Sequence, residues 1–149
     1  MKVHIDADGC PVVKETEKLC KQYNIPLEII CDTSHIFYSE YANIITVGAG
    51  SDAVDFAIIN KCHTNDIVVT QDYGLAAMVL SKNCYCINQN GMLYTKDNIS
   101  SLLNSRYISQ KIRKSSSKHH LKGPSKRSKS DTQNFTIQLE KLIKTISNF

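Results

Sequence analysis

Apolar residues follow two different patterns along the first two thirds of the chain: continuous runs and helical spacing. The runs typical of buried strands are rich in Val, Ile and Leu and span 3–6, 26–31, 44–47, 67–70 and 85–87. Between several of these runs, apolar residues at helical spacing predict helices at 11–23, 51–59 and 73–80. Apolar strands that alternate with helices indicate a parallel sheet covered on both faces. We therefore predict a three-layer α/β fold, in which helices flank a central, mostly parallel sheet of about five strands.

The last third of the chain is organised differently. A helix is predicted at 99–114, and a Ser/Lys-rich linker with Gly123 and Pro124 follows at 115–130. Residues 131–149 predict an amphipathic helix with one apolar face, made of Phe135, Leu139, Leu142, Ile143 and Ile146. We thus predict one domain at 1–114, the linker, and a C-terminal helix that packs on the domain or on a partner, which leaves a homodimer open.

Acidic side chains follow three of the predicted strands. Asp6 ends the first strand, Asp52 and Asp55 follow the third, and Asp72 follows the fourth. In an open α/β sheet the carboxyl ends of the strands line the ligand crevice, so these carboxylates can converge there. Carboxylate oxygens are the ligands that Mg²⁺ and Mn²⁺ prefer. We predict a divalent-metal site formed by these four residues, with Asp8 as a further ligand or as a support for one.

Helix capping is the alternative explanation for three of these acids. Asp52, Asp55 and Asp72 lie near predicted helix N-termini, where free backbone amides and the helix dipole stabilise a carboxylate. Capping does not require acids after three strands, nor an acid such as Asp6 at the end of a buried strand. The joint placement therefore favours a functional site.

Charge is distributed unevenly along the chain. The net charge is +4, yet no acidic residue lies between Asp97 and Asp131. A basic segment of this kind attracts a polyanion, and contacts from Lys and Arg to phosphate would offset repulsion by the acidic crevice. A solvated, disordered connector is the alternative interpretation. The residues that we predict to bind nucleic acid are Lys111, Arg113, Lys114, Lys118, Lys122, Lys126, Arg127 and Lys129.

The remaining features indicate where the protein works. No apolar run is long enough to span a bilayer and the chain begins directly with a strand pattern, so we expect a cytoplasmic protein without membrane association. The six cysteines lack the spacing of a disulfide scaffold and are expected to be reduced thiols. Cys10 precedes a helix start, where a thiol can be activated, but the sequence places no histidine partner beside it. A catalytic thiol is the weaker interpretation.

Several segments together resemble a known family over nearly the whole chain. They are 6–15, Gly50 with Asp52 and Asp55, 69–76, 88–95, Gly123-Pro124, Ser128, Asp131 and Phe135. On these residues the chain resembles the YaiI/YqxD family of uncharacterised bacterial proteins, which is considered related to PIN-domain nucleases. The resemblance implies a PIN-like fold and hydrolysis of RNA or DNA phosphodiesters with Mg²⁺ or Mn²⁺. It implies that the catalytic metal ligands are Asp6, Asp52, Asp55 and Asp72, supported by Asp8. We expect nucleic acid as the partner, RNA rather than DNA.

Two other functions remain open at this point. One is a non-catalytic nucleic-acid-binding module with the same fold. The other is a phosphatase, because Asp6-Ala7-Asp8 after a first strand also resembles the start of haloacid-dehalogenase phosphatases, in which the first Asp is a nucleophile. That chemistry wants a lysine between the Thr33-Ser34 region and the acids near Gly48, and the sequence has none there.

Overall fold

Six strands and five helices make up the described part of the computed structural model, which covers residues 1–50, 52–115 and 125–148. The strands are β1 (Val3–Asp6), β2 (Leu27–Asp32), β3 (Asn43–Val47), β4 (Ile67–Val69), β5 (Tyr85–Ile87) and β6 (Leu93–Tyr94). The helices are α1 (Val13–Gln22), α2 (Ala53–Lys61), α3 (Tyr73–Ser81), α4 (Lys96–Ser115) and α5 (Lys129–Ser147).

The strands form one sheet in the order β3-β2-β1-β4-β5-β6. The first five strands in this order are parallel, and β6 is antiparallel to β5. Strand β6 was not predicted, because two residues are too few to show a period. From β1 the strand order runs outwards in both directions, to β2 and β3 on one side and to β4, β5 and β6 on the other. The helices that follow β1 and β4 lie on opposite faces of the sheet, so a crevice opens between the carboxyl ends of these two strands.

Successive strand residues point to opposite faces of the sheet, and helices cover both faces. Val3 and Ile5 of β1 pack in one core with Leu19 of α1 and Phe135 of α5. The other core contains Ile30 of β2 and Val68 of β4, together with Ile58 of α2, Leu75 of α3 and Ile99 of α4. Burial on both sides explains why the strands are apolar throughout. The predicted three-layer α/β architecture with a mostly parallel sheet is confirmed.

Two helices begin earlier than predicted because of their capping residues. Helix α4 starts at Lys96 rather than 99, since the Asn98 amide donates to Thr95 Oγ1 (3.1 Å) and the Thr95 amide donates to Asn98 Oδ1 (2.9 Å). Helix α5 starts at Lys129 rather than 131, since Ser128 and Asp131 form a capping box. Of the predicted linker, residues 116–124 lie outside the described residues.

Helix α5 packs on the domain of its own chain. Phe135, Leu139 and Ile143 are fully buried in the core beside α1. The side chain of Asn134 donates a hydrogen bond from Nδ2 to the carbonyl of Asn90 (2.6 Å), which joins the helix to the turn before β6. The apolar face of the C-terminal segment is therefore used within the chain.

Candidate active site at the carboxyl ends of β1 and β4

An open cleft of about 410 Å³ lies where β1 and β4 end. The polar groups converge there because β1 and β4 are neighbours in the sheet. The cleft is lined by Asp6, Asp8, Gly9, Gln71, Asp72 and Arg106. Of the five predicted acids, Asp6, Asp8 and Asp72 therefore line one cleft, as the positions of the strand ends predict.

Asp6 and Asp72 are connected through the hydroxyl of Thr70. Thr70 Oγ1 donates to Asp6 Oδ2 at 2.7 Å and accepts a hydrogen bond from the Asp72 amide at 3.0 Å. Thr70 is itself buried, and its carbonyl accepts a hydrogen bond from the Tyr94 hydroxyl at 3.2 Å. Thr70 was not predicted as a site residue, because in the sequence it continues an apolar run typical of a buried strand. The one signal for it is a hydroxyl two residues before Asp72.

The environment of Asp6 disfavours its charge. Burial raises the pKa of its carboxyl, the hydrogen bond from Thr70 lowers it, and the charges of Asp72 and Asp8 raise it further. The net effect is a raised pKa. Asp6 is therefore a partly buried carboxyl that other negative charges surround.

Asp72 caps α3, as the alternative explanation proposed. Its Oδ1 accepts hydrogen bonds from the amides of Gly74 (2.8 Å) and Leu75 (3.2 Å). The described contacts of this carboxylate, including an ion pair with Arg106, all involve Oδ1. Capping thus holds one oxygen of Asp72 in place and is compatible with a second role for this residue.

Asp55 and Asp52 lie at the start of α2, beside the cleft rather than in its lining. Burial raises the pKa of Asp55 to about 6, and the charges of Asp72, Asp6 and Asp52 contribute, in that order. Asp52 occupies the N-cap position but its exposed side chain makes no capping hydrogen bond. The charges of Asp72, Asp6 and Asp52 therefore all act on Asp55, although Asp52 and Asp55 do not line the cleft.

Asp8 has partners at the end of β2 and in the loop that follows it, which no sequence pattern indicates. Its Oδ2 accepts a hydrogen bond from the Asp32 amide (3.2 Å), and its Oδ1 lies 2.9 Å from His35 Nδ1. The same His35 nitrogen lies 3.1 Å from Asp32 Oδ1. Asp8, Asp32 and His35 each offer an atom that could bind a metal ion, and these atoms lie within 4.8 Å of one another. The three side chains already pair with one another through the contacts given above. Asp8 thus connects the cleft to the loop after β2.

Arg106 of α4 adds a positive charge to the cleft. Its Nη1 lies 3.7 Å from Asp72 Oδ1. No strand or turn signal in the sequence pointed to Arg106, which lies 34 positions after Asp72 on an exposed helical face.

Comparison with known proteins identifies the family. The model of a family described as "Uncharacterized BCR, YaiI/YqxD family" matches residues 4–145. The chain belongs to the YaiI/YqxD family. It is similar to a UPF0178 protein of Clostridium acetobutylicum, with 51% identity over 143 residues that cover 96% of this chain and 97% of the relative. A UPF0178 protein of Exiguobacterium sibiricum is 46% identical over 143 residues, covering 96% of each chain.

A third relative of this YaiI/YqxD protein is similar over its whole length. The UPF0178 protein of Lachnoclostridium phytofermentans is 44% identical over 149 residues, which cover 99% of this chain and 100% of the relative. No solved structure matches the chain. Among the helices that the structure describes, none is long and apolar enough to cross a membrane.

The basic residues of this YaiI/YqxD protein do not all have the same environment. Those on the last turns of α4 and around the start of α5 are exposed: Lys111, Arg113, Lys114, Lys126 and Lys129. Arg127 instead donates hydrogen bonds to Asn90 and to Thr132 (3.0 Å), so its guanidinium holds the start of α5. Lys118 and Lys122 lie outside the described residues.

The thiol of Cys10 is not activated. Burial raises its pKa to about 11, and the hydrogen bond from the Val12 amide and the charge of Arg127 offset only part of this effect. A nucleophilic thiol needs a lowered pKa instead. All six cysteines of this YaiI/YqxD protein are free.

Proposed function

We propose that this YaiI/YqxD protein is a divalent-metal-dependent nuclease that hydrolyses phosphodiester bonds of nucleic acid, with RNA favoured over DNA. The observation that carries the proposal is the convergence of Asp6, Asp8 and Asp72 in one cleft at the ends of two neighbouring strands. Asp55 lies at the start of α2, and its pKa is raised to about 6 by burial and then by the charges of Asp72, Asp6 and Asp52. Like charges brought together in this way destabilise the protein unless a cation compensates them.

The donor atoms fit a hard cation. Asp6, Asp52, Asp55 and Asp72 offer only carboxylate oxygens, which suit Mg²⁺ or Mn²⁺ and not a soft metal. These four residues would hold the ion, and Asp8 would support the site from its contacts with Asp32 and His35. When bound, such an ion stabilises negative charge on a phosphate and activates water as a nucleophile.

The protein's own groups position the carboxylates for this role. Thr70 fixes Asp6 Oδ2 by its hydrogen bond, and the amides of Gly74 and Leu75 fix Asp72 Oδ1. Asp55 carries a proton below about pH 6, which it must release before it can act as an anionic ligand. Carboxylates that are held in place in this way lose little conformational entropy when they bind a metal ion.

The exposed cations supply the affinity for a polyanion. Lys111, Arg113 and Lys114 lie on the same helix as Arg106, which reaches the cleft. Lys126 and Lys129 add exposed positive charge before and at the start of α5. Contacts of this type bind phosphates without regard to sequence and weaken as salt rises.

Cleavage assays on labelled RNA and DNA test the proposal. Wild-type protein is incubated with each substrate and with Mg²⁺, Mn²⁺ or a chelator. We expect metal-dependent cleavage that Asp6→Asn and Asp72→Asn abolish. Asp97→Asn is the matched control, because it removes an exposed carboxylate at the start of α4 that does not line the cleft. Equal cleavage by wild type and both site variants would contradict the proposal.

A non-catalytic nucleic-acid-binding module is the second candidate. The observation that favours it is the set of metal-independent contacts of Asp72, which caps α3 and pairs with Arg106. This candidate requires salt-sensitive RNA binding that survives Asp6→Asn and Asp72→Asn without cleavage at any metal concentration. A phosphatase is less well supported, because the cation that lines the described cleft is an arginine and not the lysine which that chemistry wants.

A further inference from the structure

Arg106 makes a loose contact with the carboxylate cluster. It is the one cation among the described residues that line the cleft. The distance of 3.7 Å between Arg106 Nη1 and Asp72 Oδ1 is too long for a hydrogen bond, and the two side chains are 50% and 39% exposed. Exposed ion pairs with such geometry contribute little to stability, so Arg106 can leave Asp72 at small cost.

Asp72 does not need Arg106 to keep its position. The amides of Gly74 and Leu75 already hold Asp72 Oδ1 at 2.8 and 3.2 Å. These two hydrogen bonds come from the backbone of α3 and involve no residue of α4. The ion pair is therefore a resting contact of Arg106 and not a structural requirement of the cluster.

We propose that Arg106 is the phosphate-binding residue of the cleft: it pairs with Asp72 in the resting protein and moves to the substrate phosphodiester when Asp72 has a divalent cation as its counter-ion. A planar guanidinium binds two phosphate oxygens at once, which makes arginine suited to this exchange. The proposal rests on the proposed function, since it assigns a role at the same site. It also explains how a cleft with Asp6, Asp8 and Asp72 tolerates a polyanion.

The position of Arg106 on α4 indicates that the substrate is a strand and not a single nucleotide. Arg113 lies seven residues further along α4, which is close to two helical turns, so both cations share a face. At the rise of an α-helix, the two Cα atoms are roughly 10 Å apart. A strand whose phosphate contacts Arg106 therefore meets a second exposed cation along the same helix.

The proposal is tested with Arg106→Gln, Arg106→Lys and Lys96→Gln. Lys96→Gln is the control, because it removes one exposed cation from α4 outside the cleft. A fluorescent oligothymidylate is titrated in Ca²⁺, which takes oxygen ligands as Mn²⁺ does. We expect Arg106→Gln to weaken binding about 10- to 100-fold and Arg106→Lys to weaken it less. The negative slope of log affinity against log salt concentration should be shallower by about 0.7 in Arg106→Gln than in wild type.

A second measurement does not depend on nucleic-acid binding. Mn²⁺ is titrated into each variant by calorimetry without nucleic acid. Arg106→Gln should bind Mn²⁺ several-fold more tightly than wild type, because Asp72 loses a competing cation. An unchanged or weaker Mn²⁺ affinity, or equal oligothymidylate binding by Arg106→Gln and Lys96→Gln, would overturn the assignment. If Arg106→Gln binds oligothymidylate more weakly and Mn²⁺ more tightly, but wild type cleaves no substrate, the nuclease proposal is wrong and the role of Arg106 stands.

Discussion

The hydroxyl of Thr70 donates a hydrogen bond to Asp6 Oδ2 over 2.7 Å. Thr70 Oγ1 also accepts a hydrogen bond from the backbone amide of Asp72 at 3.0 Å, so one buried side chain connects the acids at the ends of β1 and β4. The hydrogen bond favours the charged form of Asp6, against the effect of burial. Thr70 therefore orients a proposed metal ligand and partly offsets the effect of burial on its pKa.

Replacement of Thr70 by valine removes both hydrogen bonds of this hydroxyl, the one to Asp6 Oδ2 and the one from the Asp72 amide, and keeps the shape of the side chain. Because Asp6 then loses the group that orients its carboxylate, we expect Thr70→Val to weaken Mn²⁺ binding by about 10-fold or more, as is usual when a hydrogen-bond partner of a ligand is lost. Calorimetry at neutral pH measures the effect. Thr70→Ser restores the hydroxyl and is the matched control. Equal Mn²⁺ affinity in Thr70→Val and wild type would separate Thr70 from the site.

Asp55 should make the metal-free protein less stable as pH rises. Its pKa is raised from 3.8 to about 6, so the folded state binds a proton more tightly than the unfolded state does. The unfolding free energy therefore falls as pH rises from about 4 through about 6. In chelator, we expect Asp55→Asn to be more stable than wild type at pH 7, with the difference shrinking towards pH 4.

Urea unfolding at both pH values measures this effect. Asp97→Asn serves as the control, because it removes an exposed acid from the start of α4. Saturating Mn²⁺ should reverse the order and make wild type the more stable protein at pH 7. A metal-free Asp55→Asn protein that is less stable than wild type at pH 7 would contradict the raised pKa.

Much of this arrangement follows from sequence periodicity. The apolar strand pattern places β1 and β4 in a covered parallel sheet, and the acids at their ends then have to meet in a crevice. Asp6 and Asp72 could be predicted on that basis. Strand β6 could not, because Leu93 and Tyr94 owe their strand conformation to pairing with Cys86 and Ile87 rather than to a local pattern.

Other parts of the site depend on tertiary packing that no local pattern records. Arg106 reaches Asp72 only because α4 packs beside α3. Asp8 pairs with His35 only because the loop after β2 folds back over the end of β1. Capping of α3 by Asp72, which the sequence predicts as the alternative to a functional role, is confirmed by the hydrogen bonds from the Gly74 and Leu75 amides.

His4 should be essential for stability at the other end of β1. It is fully buried between Glu28 Oε2 and Asp66 Oδ2, each 3.0 Å from a ring nitrogen. Burial raises the pKa of both carboxyls, but hydrogen bonds and the charge of His4 outweigh it and the net pKa is lowered. His4→Leu leaves two buried carboxylates without this partner and should cost about 3–5 kcal/mol.

Urea unfolding at neutral pH measures the loss. Because lowered pKa values favour the charged carboxyls in the folded state, the stability contributed by Glu28 and Asp66 is present above about pH 4 and is lost as pH falls through the lowered values. His4→Leu should therefore show a shallower loss of stability in acid than wild type. An identical acid profile would exclude the pairing as a source of stability.

Gly91 should be intolerant of any side chain. It has φ of +90°, and a Cβ atom there would lie 2.9 Å from both Asn134 Nδ2 and Asn134 O of α5. Gly91→Ala combines a left-handed backbone with a steric clash and should cost about 2–4 kcal/mol. Gly48→Ala is the control, because its Cβ would meet no atom within 4 Å. Thermal unfolding compares Gly91→Ala with Gly48→Ala. Equal melting temperatures of the two variants would contradict both the clash with Asn134 and the backbone strain.

The rate of Mn²⁺-dependent cleavage of labelled single-stranded RNA tests the central claim most directly, measured with enzyme in excess for wild type, Asp6→Asn and Asp97→Asn. Asp6→Asn keeps the size of the side chain and an oxygen for Thr70, so it removes little besides the negative charge. We predict cleavage by wild type and Asp97→Asn at similar rates and a loss of at least about 100-fold in Asp6→Asn. No cleavage by wild type at any Mn²⁺ concentration, or equal rates in all three proteins, would contradict the account.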